Sequence, residues 1–348
     1  MINIRESLTF DDILLCPSYS DVRSRKDIDL TISLPKIGTK LLHPIIPANM
    51  KTIFGYEMAE AVLLNGGLGF IHRFMHLSDQ IDIIKRLKNK YGEEKTTSHI
   101  GFSIGVQRED YDNMEEYLSE IAKIIVIDIA HGHSKLCIDM CKYISKEYPH
   151  ILLVAGNVAT YQGAKDLFMN GADVCKAGIG NGATCSTRIE TGNGVPQITA
   201  LIDTCQARDD CKKELGKELL IISDGGIRSA GDCVKSLCFA DLVMTGLLFS
   251  GCDETPGDII NIDGKSYKMY VGSSTHKTDD VNIEGVKALV ECKKSFSSIL
   301  KNICGGIRSG CSYQGAHNLS ELKENPEFIR ISNAGLIESH PHDVLIRG

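Results

Sequence analysis

The chain has 348 residues, of which 43% are hydrophobic and 24% are charged, and this composition excludes a disordered or fibrous protein. Its formal net charge of -7 excludes a partner held mainly through a polyphosphate backbone, because such binding needs a concentrated cationic face. Tryptophan is absent and aromatic residues make up only 6%, which disfavours stacking on single-stranded nucleic acid. We therefore expect a globular protein that binds no nucleic acid, with either two domains or one large barrel.

The cysteines and the first residues indicate where such a protein works. The 13 cysteines are odd in number and never form paired C-x-x-C units, so they predict neither a zinc site nor a disulfide framework. The first residues, MINIRESLTFDDILLCP, lack a basic segment followed by an apolar one, and no apolar stretch approaches the roughly 18 residues of a membrane span. The sequence predicts a soluble, cytoplasmic protein with reduced thiols and no membrane partner.

Short apolar runs rich in β-branched residues recur along the chain and are closed by Gly, Asn, Asp or His. The eight runs are residues 45–48, 67–71, 100–106, 124–130, 151–158, 174–179, 220–223 and 242–245. They are nearly continuous rather than alternating, which is typical of parallel strands buried on both faces. Amphipathic stretches between them predict crossover helices at residues 56–64, 77–90, 112–121, 135–147, 162–170 and 230–238.

Eight strand–helix units with buried strands predict an α/β fold, a (β/α)8 TIM barrel, rather than an open sheet. No Pro-rich or Ser-rich linker interrupts the series, so residues 1–348 are expected to form a single catalytic domain. Residues 1–44 precede the first strand and residues 250–348 follow the last, so both flanks are expected to pack on the barrel. Within the second flank, residues 253–270 predict a β-hairpin with an Asp-Gly turn, and residues 272–284 predict a mobile lid.

Active sites of such barrels lie at the carboxyl ends of the strands, so the residues after each run are the candidates. The stretch 176–197 places three glycines before Cys185, and a Gly-rich backbone exposes carbonyl oxygens that can ligate a monovalent cation. Cys185 itself lies among hydroxyl side chains and Arg188, a polar and cationic setting that favours a nucleophilic thiolate. The alternative is a structural cysteine, since this is one of 13 in the chain.

Two glycine-rich turns, at residues 223–226 and 245–247, close successive strands late in the chain. Late turns of a barrel are where phosphate sites usually form, with backbone amides and helix N-termini facing the anion. Asp224 lies in the first turn and can accept hydrogen bonds from ribose hydroxyls; the alternative is that it only caps the next helix. A small anionic nucleotide is therefore a candidate ligand despite the negative net charge.

Several motifs, taken in order, resemble those of the inosine monophosphate dehydrogenase and guanosine monophosphate reductase family. They run nearly end to end: FDDILL at 10–15, PANM at 47–50, AGNV at 155–158, the Cys185 loop, SDGG at 223–226, GGIRS at 305–309 and FIR at 328–330. The resemblance implies a (β/α)8 barrel, usually a homotetramer, in which the loop cysteine attacks C2 of a purine nucleotide. Dehydrogenases of the family usually carry an inserted pair of CBS modules, for which this chain leaves no room.

The resemblance also implies roles for individual residues. Cys185 is the expected nucleophile, and Thr187 and Glu284 are expected to pass protons during ammonia release. Contacts to the purine nucleotide are expected from Asp224, Gly225, Gly226, Gly246, Leu247, Gly272, Ser273 and Gly285. Contacts to NADPH are expected from Ser24, Arg25, Arg73, Asp128, Ile129, Ala130, Ile179, Gly180, Ser309, Gly310, Cys311 and Ser312. A potassium ion is expected to use Gly180, Gly182, Cys185 and Arg188.

The stretch at 273–283, SSTHKTDDVNI, bears on which reaction of the family is catalysed. The resemblance implies that dehydrogenases activate water with an Arg-Tyr pair in a long mobile flap, whereas this stretch is short and has neither residue. Motifs more similar to those of reductases lie at 48–50, 190–192, 272–274 and 311–316. The resemblance therefore favours reductive deamination of GMP to IMP with NADPH.

Other motifs favour the dehydrogenase branch. The loops at 67–72 and 128–134 are more similar to dehydrogenases, and Lys51 replaces a common Asp. The lid is also shorter than in typical reductases, and Val281 and Ile283 stand where those carry Arg and Ser. An IMP dehydrogenase with an atypical lid is therefore the alternative, and the short lid also leaves open a nucleotide-binding barrel without turnover.

Overall fold

The computed structural model describes residues 4–119, 123–272, 285–342 and 344. In these ranges the strands are β1 Ile13–Leu15, β2 Ile32–Leu34, β3 Thr39–Leu41, β4 Ile45–Pro47, β5 Gly69–Ile71, β6 Ile100–Ile104, β7 Ile124–Asp128, β8 Leu152–Val158, β9 Val174–Ala177, β10 Leu220–Asp224, β11 Leu242–Thr245, β12 Ile260–Ile262, β13 Lys265–Val271, β14 Lys287–Glu291 and β15 Phe328–Arg330. The α-helices are α1 Tyr56–Leu64, α2 Leu77–Tyr91, α3 Glu93–Thr97, α4 Arg108–Asp112, α5 Met114–Ser119, α6 Lys135–Glu147, α7 Tyr161–Met169, α8 Thr187–Thr191, α9 Gln197–Leu215, α10 Ala230–Leu237, α11 Phe296–Tyr313 and α12 Asn333–Glu338. As far as these ranges extend, no helix is both long and apolar enough to cross a membrane.

Eight of the strands form one sheet, in the order β4-β11-β10-β9-β8-β7-β6-β5. Neighbouring strands in this order run parallel, and helices alternate with the strands along the chain, as crossover connections require. The eight predicted strands correspond to these eight, with ends that differ by at most two residues. The predicted (β/α)8 barrel is therefore confirmed.

The barrel strands are buried on both faces, as β7 illustrates. Ile125 and Ile127 belong to the large apolar cluster between sheet and helices, whereas Ile124 and Val126 belong to a second cluster inside the barrel. All four side chains are fully buried. Successive side chains of a strand point to opposite faces, so alternate residues fill the two layers. The continuous apolar runs of the sequence follow from this arrangement.

A hairpin from the N-terminal flank closes the amino end of the barrel. Strands β2 and β3 pair antiparallel, and their Leu34 and Leu41 belong to the cluster inside the barrel. Between them, Lys36 Nζ lies 2.6 Å from a carboxylate oxygen of Asp173, which directly precedes β9. Because the described residues fill this end, the carboxyl ends of the strands are left as the side from which a ligand can enter.

The flanks form two further small sheets. Strand β1 of the first flank pairs antiparallel with β15 of the second, and β12, β13 and β14 of the second flank form a three-stranded antiparallel sheet. The turn between β12 and β13 is Asp263-Gly264, with φ of 49° and 78°, as the left-handed conformation of such a two-residue turn requires. The predicted hairpin is therefore confirmed, and β14 pairs with it as a third strand. The predicted lid at 272–284 lies, beyond Gly272, outside the described residues.

Two helix predictions need correction. The single helix expected at 112–121 is confirmed only in part. Helix α5 covers residues 114–119, but it is separate from α4, which ends at Asp112, where the amide of Asn113 closes the last turn on the carbonyl oxygen of Glu109. Helix α9 has no counterpart among the predicted helices. Its buried face carries polar side chains such as Thr204 and Arg208, so the apolar periodicity that marks other helices is weak.

Asp241, which directly precedes β11, is the centre of a buried ion network at the amino end of the barrel. Its carboxylate accepts a hydrogen bond from the amide of Ile221 at 2.8 Å and pairs with Arg208 at 3.2 Å and with Lys323. Burial raises the pKa of this carboxyl, but the charges of Lys323 and Arg208 more than offset it, so the pKa lies below its usual value.

We expect Asp241→Asn to lower the free energy of unfolding at pH 7 by about 3 kcal/mol, because it leaves the buried Arg208 and the partly buried Lys323 without their shared partner. A folded-state pKa below the unfolded one gives stability that is present above the unfolded pKa and is lost as the pH falls through the folded pKa. Urea unfolding at pH 7 and pH 3 will therefore show a smaller difference between variant and wild type at the lower pH. Asp209→Asn is the matched control, since Asp209 also contacts Arg208 but is half exposed. Equal losses in both variants would contradict the assignment.

Candidate active site

A cavity of about 670 Å³ opens at the carboxyl ends of the barrel strands. Most of the residues that the sequence assigns to a ligand line it: Arg73, Asp128, Ile129, Ala130, Ile179, Gly180, Gly182, Cys185, Thr187, Arg188, Asp224, Gly225, Gly226, Gly246, Leu247 and Gly272. They come from loops after β5, β7, β9, β10 and β11 and from the end of β13. The cavity therefore lies where barrels of this kind place their active sites.

A second group of candidates lies apart from this cavity. Ser24 caps the short helix Arg25–Asp27, which packs against α11, and α11 carries Ser309, Gly310, Cys311 and Ser312. None of these residues lines the cavity, and the side chain of Cys311 is buried in the core. The structure thus divides the predicted NADPH contacts into two clusters on one chain. Ser273 and Glu284 lie outside the described residues.

The loop that follows β9 presents Cys185 to the cavity. The amide of Cys185 donates to the carbonyl oxygen of Gly182 at 3.1 Å, and its Sγ donates to Oγ1 of Thr187 at 3.1 Å. Thr187 begins the short helix α8, which fixes its position relative to the thiol. Gly285 forms an antiparallel bridge with Cys185, so the chain directly after Glu284 holds this loop in place although Gly285 itself does not line the cavity.

The two glycine-rich turns lie beside each other at the cavity wall. Gly225 and Gly226 have φ of 85° and 75°, a left-handed conformation that favours glycine, and the amide of Gly225 donates to the carbonyl oxygen of Met244. Within the described residues, the amides of Gly226, Gly246 and Leu247 have no hydrogen-bond acceptor. Adjacent unpaired amides in a cavity form an anion site.

Tyr270, at the end of β13, is a cavity residue that sequence reasoning missed. Its side chain is buried, and burial raises its pKa to about 12 while it hydrogen-bonds Thr184. A Cβ at Gly246 would lie 2.5 Å from its hydroxyl oxygen, so the phenol lies against the second glycine-rich turn. The neutral phenol therefore adds a polar group to the anion site. The only signal in the sequence is a tyrosine in a hairpin strand.

Lys176, to which sequence reasoning gave no role, and Asn157, which belongs to the AGNV motif at 155–158, hold the cavity carboxylates. The Nζ of Lys176 lies 2.8 Å from Oδ1 of Asp128 and 3.1 Å from Oδ2 of Asp224. Asn157 donates to the same oxygen of Asp224 at 2.9 Å and to the carbonyl oxygen of Gly178 at 2.8 Å. A lysine inside the apolar run 174–179 is the signal that could have revealed this arrangement, because a charge in a buried strand needs a partner.

The predicted potassium residues supply carbonyl oxygens, which are the ligands that a potassium ion takes from a backbone. Among the residues that the structure describes, the carbonyl oxygen of Gly182 accepts the amide of Cys185 alone, so it keeps a lone pair. Arg188 differs from the glycines. Its guanidinium carries only donors and cannot ligate a cation, and it donates to the carbonyl oxygen of Val195. Its backbone carbonyl accepts the amide of Gly192. The glycine and cysteine carbonyls therefore fit the ion in kind, but the Arg188 side chain does not. Among the described residues, no three His, Cys, Asp or Glu side chains are placed to hold a metal.

Comparisons with known proteins agree with this geometry. The family model of the IMP dehydrogenase / GMP reductase domain matches residues 7–342. An inosine-5'-monophosphate dehydrogenase of Nitrosopumilus maritimus is 31% identical over 482 aligned positions, covering 99% of this chain and 100% of the relative. The dehydrogenase of Borreliella burgdorferi is 34% identical over 402 positions, covering 98% of each. Both alignments exceed the 348 residues of this chain, so these relatives carry segments without a counterpart here.

Among solved structures, a GMP reductase of Trypanosoma brucei in complex with guanosine 5'-monophosphate has a TM-score of 0.89 and 26% identity. The match covers 98% of this chain and 99% of that chain. The resemblance drawn from the motifs is therefore confirmed, together with the nicotinamide-dependent oxidoreductase class of the family. Since the family model spans nearly the whole sequence, this chain belongs to the IMP dehydrogenase / GMP reductase family.

Proposed function

We propose that this protein is a GMP reductase, which converts GMP, NADPH and a proton to IMP, ammonia and NADP⁺. The observation that carries the proposal is the contact between the Cys185 thiol and the Thr187 hydroxyl, 3.1 Å apart in the cavity. A hydroxyl at this distance can hand a proton to an amine that leaves the carbon attacked by the sulfur. The stretch 273–283 supports the same reaction, because it has no Arg or Tyr with which to activate water.

The chemistry requires two substitutions at C2 of guanine. The sulfur of Cys185 bonds to C2 while the bond from C2 to the amino group breaks, and the thiol proton leaves with ammonia by way of Thr187 and Glu284. When bound, NADPH supplies the hydride that reduces C2. The bond between sulfur and C2 then breaks, which releases IMP and returns the thiolate. A solvent proton restores the thiol.

The nucleotide would be held at its phosphate and at its ribose. The unpaired amides of Gly226, Gly246 and Leu247 suit a phosphate that carries two negative charges, even though the protein itself is acidic. Asp224 lines the same wall and offers a carboxylate oxygen to the ribose hydroxyls. This arrangement would place the purine toward Cys185, since both groups line one cavity.

The two clusters of predicted NADPH contacts support a homo-oligomer. Arg73, whose Nε donates to the carbonyl oxygen of Asp128 at 2.9 Å, lies in the cavity, whereas Ser24 and Ser309 lie in the separate cluster. Since the second cluster does not line the cavity of its own chain, another copy of the chain could bring its cluster to the cavity and complete the contacts to one cofactor. We therefore propose a closed oligomer, a homotetramer by resemblance, in which neighbouring subunits complete each other's cofactor sites.

Potassium would order the Cys185 loop through the carbonyl oxygens of Gly180, Gly182 and Cys185. If only the ion-bound loop is competent, turnover rises from background to about two-thirds of its maximum when the ion reaches twice its Kd. We expect this rise when choline chloride is replaced by potassium chloride at constant ionic strength, measured as NADPH consumption. Equal rates across the titration would argue that the loop needs no ion.

The second candidate is an IMP dehydrogenase, which converts IMP, NAD⁺ and water to xanthosine monophosphate and NADH. The curated relatives favour it, because those at 31% and 34% identity are both named as dehydrogenases. Residues 128–134, between β7 and α6, are also more similar to that branch. The same cysteine adduct would then form from IMP as a hydride leaves C2 for NAD⁺, and water would hydrolyse it to xanthosine monophosphate and return the thiol.

One assay separates the candidates. The purified protein is incubated with GMP plus NADPH, or with IMP plus NAD⁺, while absorbance at 340 nm and ammonia are measured. The reductase consumes NADPH and releases one ammonia per NADPH. Formation of NADH from IMP without ammonia would establish the dehydrogenase instead, and tight binding of GMP without turnover in either direction would indicate a binding barrel.

A further inference from the structure

Lys176 is a buried cation shared by two carboxylates of the cavity. It lies on β9, is only 2% exposed, and its Nζ is within 3.1 Å of both Asp128 and Asp224. Burial lowers the pKa of Lys176, but the two carboxylates more than offset this, and the net pKa is raised. The side chain therefore stays protonated and is unsuited to donate a proton in catalysis. Its role must come from its charge and its position.

The backbone of β8 is shaped to let this side chain reach both carboxylates. In the sheet, Gly156 is paired with Asp128 on one side and with Lys176 on the other. A Cβ at Gly156 would lie 2.6 Å from the Cβ of Lys176, a distance that real side chains do not adopt. The lysine therefore crosses β8 through space that only a glycine leaves open, and reaches the end of β7.

Each carboxylate gives one oxygen to the lysine and keeps the other. Asp128 uses Oδ1 for Lys176, and Asp224 uses Oδ2 for Lys176 and Asn157. Within the described residues, the second oxygen of each carboxylate has no hydrogen-bond donor, and both residues line the cavity. The lysine thus fixes two carboxylates so that one oxygen of each stays available to a ligand hydroxyl.

We propose that Lys176 is a positioning residue. It orients two carboxylates at once, Asp224 for the nucleotide and Asp128 for the cofactor, so binding of both ligands depends on it. The proposal rests on the proposed function only in assigning Asp224 to the nucleotide and Asp128 to the cofactor. Two carboxylates, one lysine and a neutral Asn157 carry a net charge of -1. Without the lysine the net charge is -2, and the carboxylates repel each other across the cavity in a poorly screened setting.

The test compares four proteins: wild type, Lys176→Met, Asp128→Asn, and the double variant. Binding of GMP, IMP and NADPH is measured by calorimetry, with thermal unfolding of each protein. Lys176→Met is expected to weaken GMP and NADPH binding by about 30-fold or more, because each carboxylate loses its buried partner. The double variant, whose net charge returns to -1, is expected to bind GMP at least about fivefold more tightly than Lys176→Met, since the repulsion is gone. A lysine with a merely structural role would not show this rescue.

Two results would overturn the proposal: a folded Lys176→Met that binds GMP and IMP within twofold of wild type, or a double variant that binds them no better than Lys176→Met. If Lys176→Met does not fold, folding of the double variant supports the proposal and its failure to fold overturns it. A wild type that binds neither nucleotide would contradict the proposed function instead. In that case the melting temperatures still test the role of the lysine, by showing whether the double variant is more stable than Lys176→Met.

Discussion

Replacement of Cys185 by Ala is expected to lower turnover of GMP by about 10⁴-fold or more, because no other group can form the bond to C2. The affinity for GMP is expected to stay within a few fold of wild type, since the amides of Gly226 and Gly246 and the carboxylate of Asp224 are untouched. NADPH consumption at 340 nm measures the first effect and calorimetry the second.

Cys292→Ala is the matched control for this variant. Cys292 follows β14, is partly buried like Cys185, and does not line the cavity. It is expected to retain full turnover. Comparable loss in the two variants would mean that cysteine removal acts through folding, and substantial turnover by Cys185→Ala would rule out the covalent route.

Thr187→Val has the second largest expected effect, a fall in kcat of about 10²-fold to 10⁴-fold, because the replacement keeps the shape but removes the proton-transferring hydroxyl. Ammonia release in a single turnover is expected to slow by the same factor, while the KM for GMP changes little. Glu284→Gln is expected to give the same pattern, since the proposed reaction uses the two groups as one relay and removal of either would interrupt it.

Thr187→Ser is the control that isolates the hydroxyl, because it keeps the Oγ that accepts from Cys185 Sγ. It is expected to recover most of the activity. If Thr187→Val releases ammonia at the wild-type rate, the relay is absent. A variant that loses ammonia release and GMP binding together would instead show that Thr187 organises the loop.

The barrel could be predicted because its signals are local in sequence. Strand β7 is a run of buried apolar residues, and burial on both faces is a property of every parallel strand between helices. The Asp263-Gly264 turn follows from the backbone conformation that two such residues adopt easily. Helix α9 was not predicted because its buried face carries polar side chains whose partners lie elsewhere in the chain, among them Arg208, which pairs with Asp241.

The residues of the candidate site likewise fall into those with a local sequence signal and those that depend on tertiary contacts. Cys185 and the glycines of its loop could be found because a Gly-rich turn beside a cysteine is a feature of neighbouring residues. A charge inside the apolar run 174–179 indicates that Lys176 needs a partner, but the sequence does not identify Asp128 and Asp224, which are each 48 residues away and are brought together with it by the sheet order. Tyr270 likewise reaches Gly246 from a strand outside the barrel.

The sequence by itself determined the alternation of buried strands and helices, the candidate nucleophilic thiol and the glycine turns, because periodicity and backbone preference act over a few residues. The tertiary structure alone decided that Lys176 joins two carboxylates and that Tyr270 lies against the anion site. It also separated the cluster around Ser24 and α11 from the cavity. These are contacts between distant segments, and their energies depend on burial and charge that no single segment carries.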